Sequence, residues 1–286
     1  MKNFDELRDV LELERIEDNL YRGQNYRTPW GRVFGGQVLA QSINAAHLTT
    51  PDDRLLHSMH AYFLLAGDTS IPIVYDVERV RDGGSYTTRR VRAIQKGRPI
   101  FSMEASFQVP EEGLSHGMSM PDVPPPEDLQ SDREIAEALR EEAPDLYRMS
   151  QIDRPIECRP TGGIEQYRSG TGDPVQHLWI RGIGTLPAGY GMNQVALAYV
   201  SDYNLLATSL LPHRRSLLEH GRYFLASLDH AMWFHRPFRL DDWLLYSIES
   251  PSAGSARGFA RGQLFTRDGE LVASVAQEGL MRQSRA

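Results

Sequence analysis

The sequence predicts an α+β protein made of two tandem copies of one unit, each a long antiparallel β-sheet wrapped around a central α-helix. Three observations carry this. The first is a weak internal repeat: His60-Ala61 recurs at His230-Ala231 and Gly84-Ser85 at Gly254-Ser255, both 170 residues on. Gly97 to Ser102 matches Gly269 to Ser274 at 172 residues, and Gln37-Val38 matches Gln194-Val195 at 157. Four matches in the same order at nearly one period indicate duplication of a domain, since solenoid repeats are far shorter. The second is a helix in each copy that is apolar on most of its surface and therefore buried. The third is a run of extended segments after each helix, joined by hairpin turns.

In order, Leu7, Val10, Leu11 and Ile16 suggest a short amphipathic helix over Asp5–Glu17, and Leu20–Gly23 reads as a strand. Gln37–Ala46 is the first buried helix, and Gly35-Gly36 at its start permits close approach of backbone to a neighbour or a ligand. Strands follow over Leu56–Leu64, Pro72–Arg81, Ser85–Gln95 and Ile100–Val109, with turns at Asp82-Gly83-Gly84 and Lys96-Gly97. The first unit thus occupies residues 1–110. A linking region, 111–155, contains the proline-rich, acidic stretch Pro121–Glu127 and a charged helix over Asp132–Glu142 that stops near Pro144.

The second unit, 156–286, opens with strands within Ile156–Gly184 and has its helix over Asn193–Leu206. Its strands are Phe224–Pro237, Asp242–Ser250, Ala256–Thr266 and Leu271–Met281. Alternation along the first of these puts Ser227, Asp229 and Ala231 on one face, and Leu228, His230 and Met232 on the other.

With 286 residues, 41% of them hydrophobic, the chain can bury a core in each unit. A net charge of −7 argues against a general nucleic-acid binder. The single cysteine, Cys158, fits a reducing compartment. The N-terminus lacks the apolar run of a signal peptide, no stretch is long and apolar enough for a membrane span, and Ser284-Arg285-Ala286 is not a peroxisomal address. These features predict a cytoplasmic protein.

Three polar residues occupy apolar surroundings: Asp202 in the second helix, Ser227 on a central strand, and Gln277 in line with Leu271, Ala273 and Val275. A buried carboxylate needs hydrogen-bonding partners, and Ser and Gln can both donate and accept. The cluster is either a structural link between helix and sheet or a device that holds one water, with Asp202 as its base.

The segments Arg32-Val33-Phe34-Gly35-Gly36-Gln37, Gly67-Asp68, Ser201-Asp202-Tyr203-Asn204, Ser227 to Pro237, Ser255-Ala256-Arg257-Gly258 and Gln277-Glu278-Gly279 resemble the acyl-CoA thioesterase II (TesB-like) family, and the resemblance extends from about residue 10 to 283. It implies a double hotdog fold and hydrolysis of acyl-CoA to fatty acid and CoA by an activated water, without a metal or a covalent acyl-enzyme. The family's catalytic Asp, Thr/Ser and Gln fall on Asp202, Ser227 and Gln277, with serine in place of the threonine of some members. No cofactor is expected, because CoA is part of the substrate; a homo-oligomer is expected. Gly35, Gly36 and His57 are candidates for the pocket wall, and Arg236, Arg257 and Arg261 for the CoA phosphates.

Other readings are weaker. Ser227, Asp229 and His230 could suggest a Ser-His-Asp hydrolase, but Ser227 does not stand in a Gly-x-Ser-x-Gly elbow. His57, His60, His230 and His235 lack the spacing of a zinc site. An enoyl-CoA hydratase of the same fold needs a histidine on the helix near Asp202, and none is there. An acyl-CoA-binding protein without turnover is the alternative from a different class, and a thiol-release assay separates it from an enzyme.

Overall fold

The computed structural model describes residues 1–168, 172–186, 189–213 and 223–283. The Ser284-Arg285-Ala286 end lies outside them. Helix α1 (Phe4–Leu11) is capped by Asn3, whose side chain accepts from the Glu6 N–H, and it buries Phe4, Leu7 and Leu11. It is shorter than the periodicity predicts. After Glu12 the chain forms strand β1 (Leu13–Glu17), which pairs with β2 (Leu20–Gly23), so Ile16 is 48% exposed and belongs to no helical stripe. Cross-strand pairing, supported by an Arg22–Glu14 ion pair, overrides the local helical pattern there.

Helix α2 (Gly35–His47) is buried along most of its length. It is followed by β3 (Leu55–Phe63), β4 (Ile73–Asp82), β5 (Tyr86–Gln95) and β6 (Arg98–Gln108). The β5–β6 hairpin turns at Lys96-Gly97, both at positive φ, as a two-residue turn of this kind requires.

In the linking region, α3 (Asp132–Ala138) starts with a capping box between Ser131 and Glu134 and ends before the predicted Glu142. Pro144 does not stop it. Instead it opens a separate helix, α4 (Pro144–Ser150), at the first-turn position where a missing N–H costs nothing.

The second unit comprises β7 (Ile156–Pro160), α5 (Gly163–Arg168), β8 (Val175–Gly182), α6 (Tyr190–Ser201), a 3₁₀ stretch (Leu206–His213), β9 (Tyr223–Ser227), β10 (Asp229–Phe234), β11 (Leu244–Gly254), β12 (Arg257–Thr266) and β13 (Leu271–Gln283). All strands join one antiparallel sheet in the order β1-β2-β4-β5-β6-β3-β10-β13-β12-β11-β8-β7, with β9 also beside β13. The two units meet at β3–β10, and α2 packs on α6 inside the curve, so a single apolar core runs through both.

Two expectations about faces are corrected by the register. Ser227 pairs with Gly279 but Ala231 with Ala276, so three residues of one strand oppose two of the other. This bulge breaks the predicted alternation. Ser227 therefore shares the inner face with His230 and Met232. At the junction His60 lies opposite Ala231 and Ala61 opposite His230. His60 is on the exposed face, edge-on to Trp233, whereas His230 is fully buried. The His-Ala repeat is thus out of phase in three dimensions.

Candidate active site

The site is assembled where the C-terminus of α6 meets the N-terminus of α2. Helix α6 begins earlier and ends earlier than the sequence predicts. Its last residue is Ser201, Asp202 is the C-cap, and Asn204 takes the left-handed conformation (φ 63°) that asparagine tolerates best among residues bearing a side chain. Three bonds pin this end. The Tyr246 hydroxyl donates to the Ser201 carbonyl (2.9 Å), Ser201 Oγ donates to Ala198 O (3.0 Å), and His230 Nε2 is 3.0 Å from Ser201 Oγ. With the serine proton already directed to Ala198, His230 must be the donor, so its neutral Nε2–H tautomer is the one that fits.

Asp202 sits at the mouth of this junction. The Gly36 N–H, in the first turn of α2, donates to Oδ2 (2.9 Å), and Gln277 Nε2 donates to Oδ1 (3.0 Å). The same amide nitrogen donates its other hydrogen to Ser227 Oγ (2.7 Å). Gln277 is fully buried on the inner face of β13, so its orientation is fixed. Ser227, accepting from Gln277, keeps its own O–H to donate. Burial pushes the Asp202 carboxyl above its ordinary range, against the hydrogen bonds from Gln277 and Gly36, which favour the anion.

Asp202, Ser227 and Gly35 line a cavity of about 730 Å³ whose other walls include Val33, Phe34, Phe63 and Phe101. Gly35 is required for access: a Cβ there would lie 2.8 Å from Asp202 Oδ2. At Gly36 a Cβ would fall 2.3 Å from the Tyr199 carbonyl oxygen, so this glycine is demanded by helix packing.

The other candidate residues lie elsewhere. His57 Nε2 is 2.8 Å from Ser106 Oγ, beside Tyr86. Arg236 bonds to Leu271 O and pairs with Glu270, while Arg257 and Arg261 pair with Glu278 and Glu249 on the exposed side of β12. Among the described residues the cavity-lining cation is Arg32, whose guanidinium lies 5.7 Å from the centre of the Phe224 ring. Sequence reasoning passed over it, although it stands three residues before Gly35 in the quoted motif. His230 is on the same face as Ser227 after all, but its Nε2 is committed to Ser201. His57, His60 and His235 turn to Ser106, Trp233 and Ser274, so the four histidines do not converge.

Burial lowers the pKa of His230 to about 3 and of His47 to about 4. The unfolded chain binds these protons below about pH 6.5 and the folded chain does not. Stability should therefore fall as pH drops from 6.5 towards 4, by about 1.4 kcal/mol per pH unit for each histidine. Urea unfolding at pH 7.5, 6 and 5 measures this slope, and His47→Gln should reduce it by roughly one proton. A slope indifferent to that substitution would show that His47 is not buried in its neutral form.

One continuous sheet whose two halves each curve about a helix, with a polar cluster where those helices meet, defines a double hotdog protein. The comparisons place it further. The acyl-CoA thioesterase family model matches residues 148–280, and that of the acyl-CoA thioesterase N-terminal domain matches residues 26–108. Acyl-CoA thioesterase 2 of Haemophilus influenzae is 42% identical over 96% of both chains, and human acyl-coenzyme A thioesterase 8 is 42% identical over 96% of this chain and 88% of its own. The crystal structure of an acyl-CoA thioesterase II from Mycobacterium marinum superposes with a TM-score of 0.80 at 40% identity, covering 97% of this chain and 98% of that one. The chain belongs to the acyl-CoA thioesterase family and is a thioester hydrolase. Among the described residues no helix is long and apolar enough to cross a membrane.

Proposed function

We propose that Asp202, Ser227 and Gln277 hold and activate a water that attacks the carbonyl carbon of an acyl-CoA thioester. The observation that supports this best is the buried Gln277 amide, which ties Asp202 to Ser227 beside an open cavity. Asp202 takes a proton from the water as the new C–O bond forms, and the carbonyl becomes a tetrahedral oxyanion. The Gly35 N–H, at the positive end of α2, is the donor we assign to that oxygen. Collapse breaks the C–S bond, and the proton on Asp202 passes to the departing CoA sulfur. Fatty acid and CoA leave, and Asp202 is again ionised. Burial, which raises the Asp202 pKa, strengthens it as a base. Arg32, on the cavity wall, is the cation we assign to the CoA portion, and no cofactor enters the scheme.

Ser227 is a positioning group in this reading, because among the described residues no imidazole is available to make it a nucleophile. Rapid-quench mass spectrometry during turnover should find no acylated protein. An adduct on Ser227 that forms and decays at the catalytic rate would replace this mechanism with a covalent one.

A further inference from the structure

We propose that the acyl tail of the substrate lies in a second compartment behind Phe34, walled in part by the segment that joins the two units. This rests on the thioesterase mechanism above. The compartment measures about 290 Å³ and shares Trp30 and Phe34 with the catalytic cavity. Phe34 is the N-cap of α2, next to Gly35, and its ring packs on Tyr199 and Tyr203 at centroid distances of 5.1 and 4.8 Å. Both tyrosines line the second compartment, and Tyr203 directly follows Asp202. A thioester held at Asp202 therefore has an aromatic wall leading away from it into a mainly apolar space.

The far walls come from the linking region and from the 3₁₀ stretch that follows α6. Helix α4 supplies Leu146 and Met149, and the 3₁₀ stretch supplies Ala207 and Leu211. Arg154 and Asp132, paired at 2.6 Å and mostly buried, also border the space, and Arg154 Nε has no hydrogen-bond partner among the described residues. A methylene pushed against this pair would keep water from charged groups, which is unfavourable. The pair thus ends the tail. At roughly 30 Å³ per methylene, close to the volume of a water, the space takes a tail on the order of ten carbons. Each methylene buried before that limit is worth roughly fourfold in binding.

The test is a kcat/KM series from butanoyl- to octadecanoyl-CoA with the parental chain, Ala207→Phe, which fills the compartment, and Met149→Trp, which narrows it at a position already 52% exposed. The parental profile should rise with length and level off near ten to twelve carbons. Ala207→Phe should lower dodecanoyl-CoA turnover at least tenfold, mainly through KM, and leave butanoyl-CoA within twofold. Met149→Trp should act in the same direction more weakly, and it decides the matter should Ala207→Phe fail to fold. Hydrolysis whose chain-length profile ignores the substitutions, or falls equally at all lengths in a variant with the parental melting temperature, would place the tail elsewhere and leave the thioesterase reading intact. No thiol release from any acyl-CoA by the parental chain would overturn both.

Discussion

Asp202→Asn is expected to lower kcat by about 10²–10⁴, with KM little changed. Asparagine keeps the shape, but its single oxygen can accept only one of the two bonds that Asp202 receives on separate oxygens, from Gly36 N–H and Gln277 Nε2, and it cannot take a proton. The fold should survive, because the replacement removes a partly desolvated charge from a site where burial already disfavours that charge. The pH profile supplies an independent check. A general base must be ionised, so kcat/KM should fall on the acid side, with a midpoint above the ordinary aspartate range. That limb should disappear from the residual activity of the variant. Parental turnover of palmitoyl-CoA and shorter esters by the folded variant would remove Asp202 from the base role.

How much of this could be read from residues alone differs between levels of structure. The buried helices and the meanders were legible because a helix apolar all round and a strand–turn–strand pattern are local signals. Element ends were less so. Asp202 and Pro144 were both misplaced relative to their helices, because a cap is decided by backbone geometry around it, not by periodicity. The bulge after Ser227 was invisible for a different reason: it exists only in the pairing of β9 and β10 with β13. Without it, Ser227 would face away from Gln277. The apolar surroundings of Asp202, Ser227 and Gln277 pointed to the three together, and the family resemblance implied their roles, although alternation alone separated Ser227 from His230. Arg32 does not stand out in the sequence because a cation is common on any surface; what distinguishes it from Arg236, Arg257 and Arg261 is its place on the cavity wall.

Each chain should bind one acyl-CoA in a productive site, although it contains two units of one architecture. The linear repeat suggests Ala45, His57 and Ala105 as first-unit counterparts of Asp202, Ser227 and Gln277. The register revises two of them. The C-cap of α2, in the place of Asp202, is Leu48. The first-unit bulge falls at His57, between Leu56 and Ser58, so the inner-face position before it is Leu56, in the place of Ser227. Ala105 retains its correspondence with Gln277, since it sits opposite Met59 just as Gln277 lies one step from the Ala231–Ala276 pair. Neither set can take a proton at the base position or hold a water from the amide position. Near the α2 C-terminus the titratable group is His47, 3.6 Å from the point a Cβ on Gly191 would occupy and held neutral by burial. It faces the start of α6 as Asp202 faces the start of α2, but without a carboxylate's charge. Gln277→Ala should therefore cost about 10²–10³ in kcat, the scale of losing one oriented donor, because Asp202 and Ser227 lose their common anchor together. Ala105→Gln should neither restore that loss nor create a second centre. Calorimetry with a non-hydrolysable acyl-CoA thioether should give a stoichiometry near one per chain, reduced by Arg32→Ala and unaffected by Ala105→Gln. Two bound analogues per chain, each removed by a substitution in a different unit, would show that the first unit has kept a site of its own.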